Sequence, residues 1–216
     1  MIHKDSFLHN NTEQLPYMVT VPSDFSPDEH LPLIVFLHGA GERGTDLQKI
    51  NVHGIPKLFG ANPDYRGLRA VTLSPQCPPD DVWSAHVFAL RALIEHVTAE
   101  YGCDPNRVSI TGISMGGFGT WEMGLRFSEL FSAVAPICGG GMSWRAANLK
   151  NVPVRVFHGD QDTVVPIDYS LQMVLALKAA GGNVAFTVYP GVEHNSWEPA
   201  YEQSDLIEWL IAQRRA

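Results

Sequence analysis

The residues best equipped for chemistry in this chain of 216 residues surround Ser114. It stands in Val108-Ser109-Ile110-Thr111-Gly112-Ile113-Ser114-Met115-Gly116-Gly117, where Gly112, Ser114 and Gly116 follow the pattern Gly-x-Ser-x-Gly. A serine hydroxyl attacks a carbonyl well only when it stands clear of the backbone and beside a base. A sharp turn from strand to helix achieves this, but it strains the serine and requires small residues two positions away on either side. The pentapeptide alone is a weak signal. The apolar run before it and the helical pattern after it supply the context that gives it weight. The chemistry would be nucleophilic acyl transfer, which also needs donors for an oxyanion, a base, and a carboxylate to orient the base.

Each of these has a candidate. His38-Gly39-Ala40-Gly41-Glu42-Arg43-Gly44 follows the most apolar run of the chain, and glycines let backbone approach an incoming carbonyl closely. The N–H groups of Ala40 and Met115 are the expected oxyanion donors, with Gly41 next in line. A phosphate-binding reading of these glycines fails, because neither Gly-Lys-Ser/Thr nor Gly-x-Gly-x-x-Gly is present. Downstream, His158-Gly159-Asp160-Gln161-Asp162 offers two carboxylates at a strand end, which position alone does not separate. His194, in Gly191-Val192-Glu193-His194-Asn195-Ser196-Trp197, is the histidine that follows them and is the expected base. His38 and His158 read as supports for loops at strand ends. No His-Glu-x-x-His or comparable ligand cluster appears, so neither a metal nor a cofactor is expected.

These residues need a scaffold that brings loops together. Short apolar, β-branched runs at 15–21, 33–37, 70–73, 108–113, 131–137, 154–157 and 185–189 alternate with helical patterns at 84–101, 115–127, 167–180 and 197–214. Continuous apolar runs suit strands buried on both faces, and the alternation implies an α/β chain with a mostly parallel sheet and helices on both faces. The first run is expected to pair with a segment near Phe7, and a short helix is expected near 47–59. The stretch 139–152 leaves little room for a large lid. The whole chain, 1–216, reads as one domain.

Composition narrows the partners. The formal net charge is −8, and no Lys/Arg-rich run is present, which argues against nucleic acid. The apolar runs are too short to span a bilayer. Cys77, Cys103 and Cys138 form an odd, sparse set that suits a reducing compartment, and Met1-Ile2-His3-Lys4-Asp5-Ser6 is no signal peptide, so a cytoplasmic location is expected. Nothing in the residues specifies an oligomeric state.

Together, His38-Gly39-Ala40-Gly41-Glu42-Arg43-Gly44, Ser74-Pro75-Gln76-Cys77-Pro78, Gly112-Ile113-Ser114-Met115-Gly116-Gly117 and His158-Gly159-Asp160-Gln161-Asp162 resemble the phospholipase/carboxylesterase-like and predicted-peptidase branch of the α/β-hydrolases. That branch is similar to dienelactone hydrolases and to small feruloyl and acetyl-xylan esterases. The resemblance implies an α/β-hydrolase fold and assigns the carboxylate: the family pattern His-Gly-x-x-Asp-x-x-Val-Pro falls on His158, Gly159, Asp162, Val165 and Pro166, leaving Asp160 to stabilise the loop. It also places the base at His194, with Trp197 after it. The expected activity is a serine carboxylesterase with the triad Ser114, Asp162 and His194, acting on a small-molecule short-chain or aryl ester. Glu42, Gln76, Trp83 and Trp197 are the expected substrate contacts. The competing readings are a serine peptidase or amidase, and a non-catalytic binding protein on the same scaffold.

Overall fold

In the computed structural model, residues 2–10 and 13–215 are described. Among these residues, eight strands form one sheet: β1 (Ile2–His9), β2 (Glu13–Thr20), β3 (Leu33–Leu37), β4 (Val71–Pro75), β5 (Val108–Ile113), β6 (Ala133–Ile137), β7 (Val154–Gly159) and β8 (Val184–Tyr189). Their spatial order is β1-β2-β4-β3-β5-β6-β7-β8. The β1–β2 and β2–β4 pairs are antiparallel and the rest parallel. Phe7 pairs with Leu15, as the sequence suggested. This open, mostly parallel sheet is the α/β-hydrolase arrangement.

The strand sequences explain the layering. All five residues of β3 are buried, and alternate ones face opposite sides. Leu33, Val35 and Leu37 enter one core, with Leu90, Leu93, Trp121 and Leu177 of the helices that cover it. Ile34 and Phe36 enter a second core, with Ile55, Phe59, Tyr201 and Leu206. The first core lies under α2 (Val87–Glu100), α3 (Met115–Arg126) and α4 (Asp168–Ala179). The second lies under α1 (Gly54–Ala61), α5 (Trp197–Glu202) and α6 (Leu206–Ala212).

Two helices differ from the sequence reading. The expected helix at 197–214 is broken into α5 and α6, where Ser204 Oγ bonds back to the Ala200 carbonyl and accepts the Leu206 N–H. The expected helix near 47–59 is a 3-10 segment, Leu47–Val52, followed by α1, with Gly54 at φ 58° at the join. A side chain on Gly54 would meet the Phe36 ring at 2.5 Å, so the break seats α1 directly on the sheet.

Register brings the loops together. Leu37 pairs with Gly112, Ile113 with Ile137, and Gly159 with Tyr189. The carboxyl ends of β3, β5, β6, β7 and β8 are therefore in line, and the segments bearing Ala40, Ser114, Cys138, Asp162 and His194 all leave from that edge. In open α/β sheets that edge is where ligands bind. The β6–β7 connection holds a single 3-10 segment, Ser143–Leu149, and no large lid.

Candidate active site

Ser114 sits between β5 and α3 at φ 52°, ψ −117°, a conformation that L-residues rarely adopt. Its N–H donates to the Ile137 carbonyl at 3.0 Å and approaches Cys138 Sγ at 3.3 Å. The flanking glycines are required sterically. A Cβ on Gly116 would lie 1.9 Å from the Leu37 carbonyl oxygen, and one on Gly112 2.5 Å from that of Gly116. The first turn of α3 thus rests directly on the end of β3.

That contact sets two helical turns side by side. Met115 opens α3, and Ala40 opens a 3-10 turn, Ala40–Glu42, after β3. First-turn amides have no partner within their own helix. The loop bearing Ala40 is held from behind by His38, whose Nδ1–H donates to the Gly39 carbonyl at 2.6 Å and whose Nε2 accepts the Cys77 N–H at 2.9 Å. Burial lowers the His38 pKa to about 4, so the ring is neutral, as those bonds require.

Ser114 Oγ lies 2.9 Å from His194 Nε2, and His194 Nδ1 lies 2.7 Å from Asp162 Oδ2. The Ser114 hydroxyl donates to Nε2, and Nδ1–H donates to the carboxylate. Asp162 Oδ1 accepts the N–H groups of Val164 and Val165 at 2.9 and 2.8 Å. Burial would raise the Asp162 pKa, but the bonds from His194 and Val165 outweigh it and hold the carboxyl below the usual carboxylate range. Asp160 stands elsewhere: its Oδ1 accepts the Gly191 N–H at 2.8 Å and ties the acid loop to the loop of His194. The two loops touch so closely that a Cβ on Gly159 would fall 2.2 Å from the Val192 carbonyl oxygen.

The remaining expected contacts divide. Trp197 is half-buried, its ring edge-on to His194 at 5.3 Å, so it walls that imidazole. Gln76 was expected to meet substrate, but it is fully buried and its Nε2–H₂ donates to the Glu42 and Asp46 carbonyls, both at 2.9 Å; it fastens the loop instead. Trp83 is likewise buried, its Nε1–H donating to the His38 carbonyl at 3.0 Å. The Glu42 side chain folds under Gly39, with Oε2 buried, unpartnered and 4.0 Å from His38 Nδ1.

Two further supports complete the site: His158, expected as a loop support, and Cys138, which sequence reasoning missed. His158, from the end of β7, donates from Nε2 to the Val165 carbonyl at 2.8 Å and braces the acid loop. Burial lowers its pKa as well. Cys138 lies under Ser114, and its Sγ, with Asp162 and His194, forms the group of described residues whose ligand atoms, within 4.8 Å of one another, could hold a metal ion. Burial pushes that thiol up to about 12, so it offers no thiolate, and the other two ligands are already bonded to each other. A cysteine after a β-strand carries no signal from which this placement could be read.

The model of the dienelactone hydrolase family matches residues 80–205, more than half of the chain and the part containing Ser114, Asp162 and His194. The chain belongs to the dienelactone hydrolase family. A solved thermostable esterase is 39% identical, with a TM-score of 0.90 over 99% of this chain and 63% of that one. The feruloyl esterase module of Clostridium thermocellum, solved with sinapinate, shares the fold at 15% identity, with a TM-score of 0.81 over 100% of this chain and 89% of that one. Among sequences, the bifunctional acetylxylan esterase/xylanase of Neocallimastix patriciarum is 26% identical over 151 residues, 68% of this chain and 21% of that protein. The chain spans 21% to 49% of the length of the leading curated relatives it matches. Among the described residues, no helix of this dienelactone hydrolase family member is long and apolar enough to cross a membrane.

Proposed function

We propose that this protein is a serine carboxylesterase acting on short-chain or aryl esters of small molecules. The observation that carries the reading is the chain of contacts from Ser114 Oγ through His194 to Asp162, at 2.9 and 2.7 Å, built on a strained turn that exposes the hydroxyl. In the proposed cycle His194 Nε2 takes the Ser114 proton as Oγ attacks the ester carbonyl. Asp162 holds the proton on Nδ1 and stabilises the imidazolium. The N–H groups of Ala40 and Met115 receive the oxyanion, and loss of one such donor would raise the barrier by about 3 kcal/mol. His194 then protonates the leaving alcohol, and afterwards activates the water that releases the acid. The esterase names among relatives support ester over amide bonds.

A fluorophosphonate probe with mass-spectrometric mapping tests the nucleophile: one adduct at Ser114 is expected, and an adduct elsewhere or none would overturn it. Nitrophenyl esters of increasing acyl length beside a peptide anilide test the bond class. Faster turnover of the anilide would replace the esterase reading with a peptidase.

A further inference from the structure

Among the described residues β8 is the last strand of the sheet, and its outer edge carries no device against pairing. A free edge presents unpaired N–H and C=O groups to any strand that fits, and natural sheets blunt it with charges, proline or bulges. β1, at the opposite edge, carries Lys4 and Asp5. β8 reads Val-Ala-Phe-Thr-Val-Tyr, with no charge, proline or glycine. The Val154 N–H bonds the Asn183 carbonyl at one end of the β7–β8 pair, and the Asp160 N–H bonds the Tyr189 carbonyl at the other. Backbone groups alternate sides along a strand, so the N–H and C=O of Val184, Phe186 and Val188 face outward.

The helix above this edge extends the pattern. α4 packs over β7 and β8 and buries Ser170, Met173, Val174 and Leu177. Tyr169, on one flank, meets the Phe118 ring of α3 edge-on, with centroids 5.6 Å apart. At the helical repeat, Asp168, Leu171, Leu175 and Lys178 fall on the other flank, above the free edge. Leu175 is 57% exposed, and Leu171 and Val188 are 39% exposed each. That flank is apolar in the middle, acidic at one end and basic at the other, so it fits an inverted copy of itself. A twofold axis through Phe186 pairs the two β8 strands antiparallel, with Phe186 opposite Phe186 and Val184 opposite Val188, and sets no like charges against each other. Strands lie about 4.8 Å apart, so two α4 helices seated over their β7–β8 gaps run antiparallel about 10 Å apart, an ordinary packing distance. Leu171 then faces Leu175 of the second copy, and Asp168 faces Lys178. We propose that β8 and α4 form a twofold interface with a second copy of this chain, joining the two sheets into one. The carboxyl edges of the two sheets point in opposite directions, and both Ser114 sites stay open.

Sedimentation velocity across micromolar concentrations tests this, and the native protein should sediment as a dimer. Val188→Lys puts a charge on the strand edge, and Leu175→Glu puts one in the helix contact. Each should give monomers with native circular dichroism. Asp168→Lys and Lys178→Asp should each raise the dimer Kd by about tenfold at low salt, because symmetry turns two ion pairs into two like-charge contacts. Combining the two substitutions should restore the native Kd. A folding defect in either single variant would persist in the combination, whereas a charge contact across the axis is regained. A monomeric native protein, or a dimer that survives both Val188→Lys and Leu175→Glu, would overturn the interface. A combined charge variant that dimerises no better than the single ones would do the same.

Discussion

At the scale of single residues, the proposed mechanism depends on holding protons on particular atoms. Asp162 uses one oxygen for two backbone N–H groups and the other for His194. In Asp162→Asn the amide oxygen keeps the backbone bonds and the NH₂ faces Nδ1. The imidazole must then carry its proton on Nε2, where it no longer accepts from Ser114. The expected result is a fall in kcat of about 10⁴ with little change in KM, measured in steady state on a nitrophenyl ester. His38 makes a second prediction, on stability. The unfolded chain takes up a proton below about pH 6.5, but the buried ring resists until about pH 4. Its contribution is full above 6.5 and drains away as the pH falls to 4, by about 3 kcal/mol in all. His158 acts in the same direction. Urea melts between pH 7 and 4 should show this slope, and His38→Gln should flatten it.

At the scale of elements, the geometry depends on backbone segments pressed together without side chains between them. Gly159→Ala would drive a methyl into the Val192 and Glu193 carbonyls, at 2.2 and 2.4 Å, and shift the loop that carries His194, the proposed base. Displacements of about 1 Å at a reacting group reduce rates about 100-fold, so kcat should drop by at least that much while circular dichroism stays native. The sequence made some of this legible and hid the rest. Strands such as β3 and β5 were readable because burial on both faces leaves an unbroken apolar run. The turn at Ser114 was readable because its glycines answer a local clash. The break between α5 and α6 was not, since it turns on the hydroxyl of Ser204 in a stretch whose apolar spacing continues past it. Gln76 was misjudged because its partners, the carbonyls of Glu42 and Asp46, come from a loop about thirty residues away, and only the folded chain brings them into reach.

At the scale of the whole molecule, the packed cores lock away chemistry that is not used. Cys77, Cys103 and Cys138 are unpaired and buried, and burial pushes each thiol up to about 12. Only thiolates react readily with disulfide reagents. The native protein should therefore leave Ellman's reagent almost untouched at pH 8 and release three equivalents on denaturation, at a rate that follows unfolding. A thiol titrating within seconds in the native state would refute this.

The backbone of Ser114, at φ 52° and ψ −117°, sets folding against activity at one position. Glycine visits that region freely, whereas serine is held there at about 1–3 kcal/mol above its relaxed state. Selection for robust folding alone would erode the serine in favour of glycine, and directed evolution toward heat tolerance without an activity screen would meet the same pull. If Ser114 is the nucleophile proposed above, it persists only in populations that are made to use it.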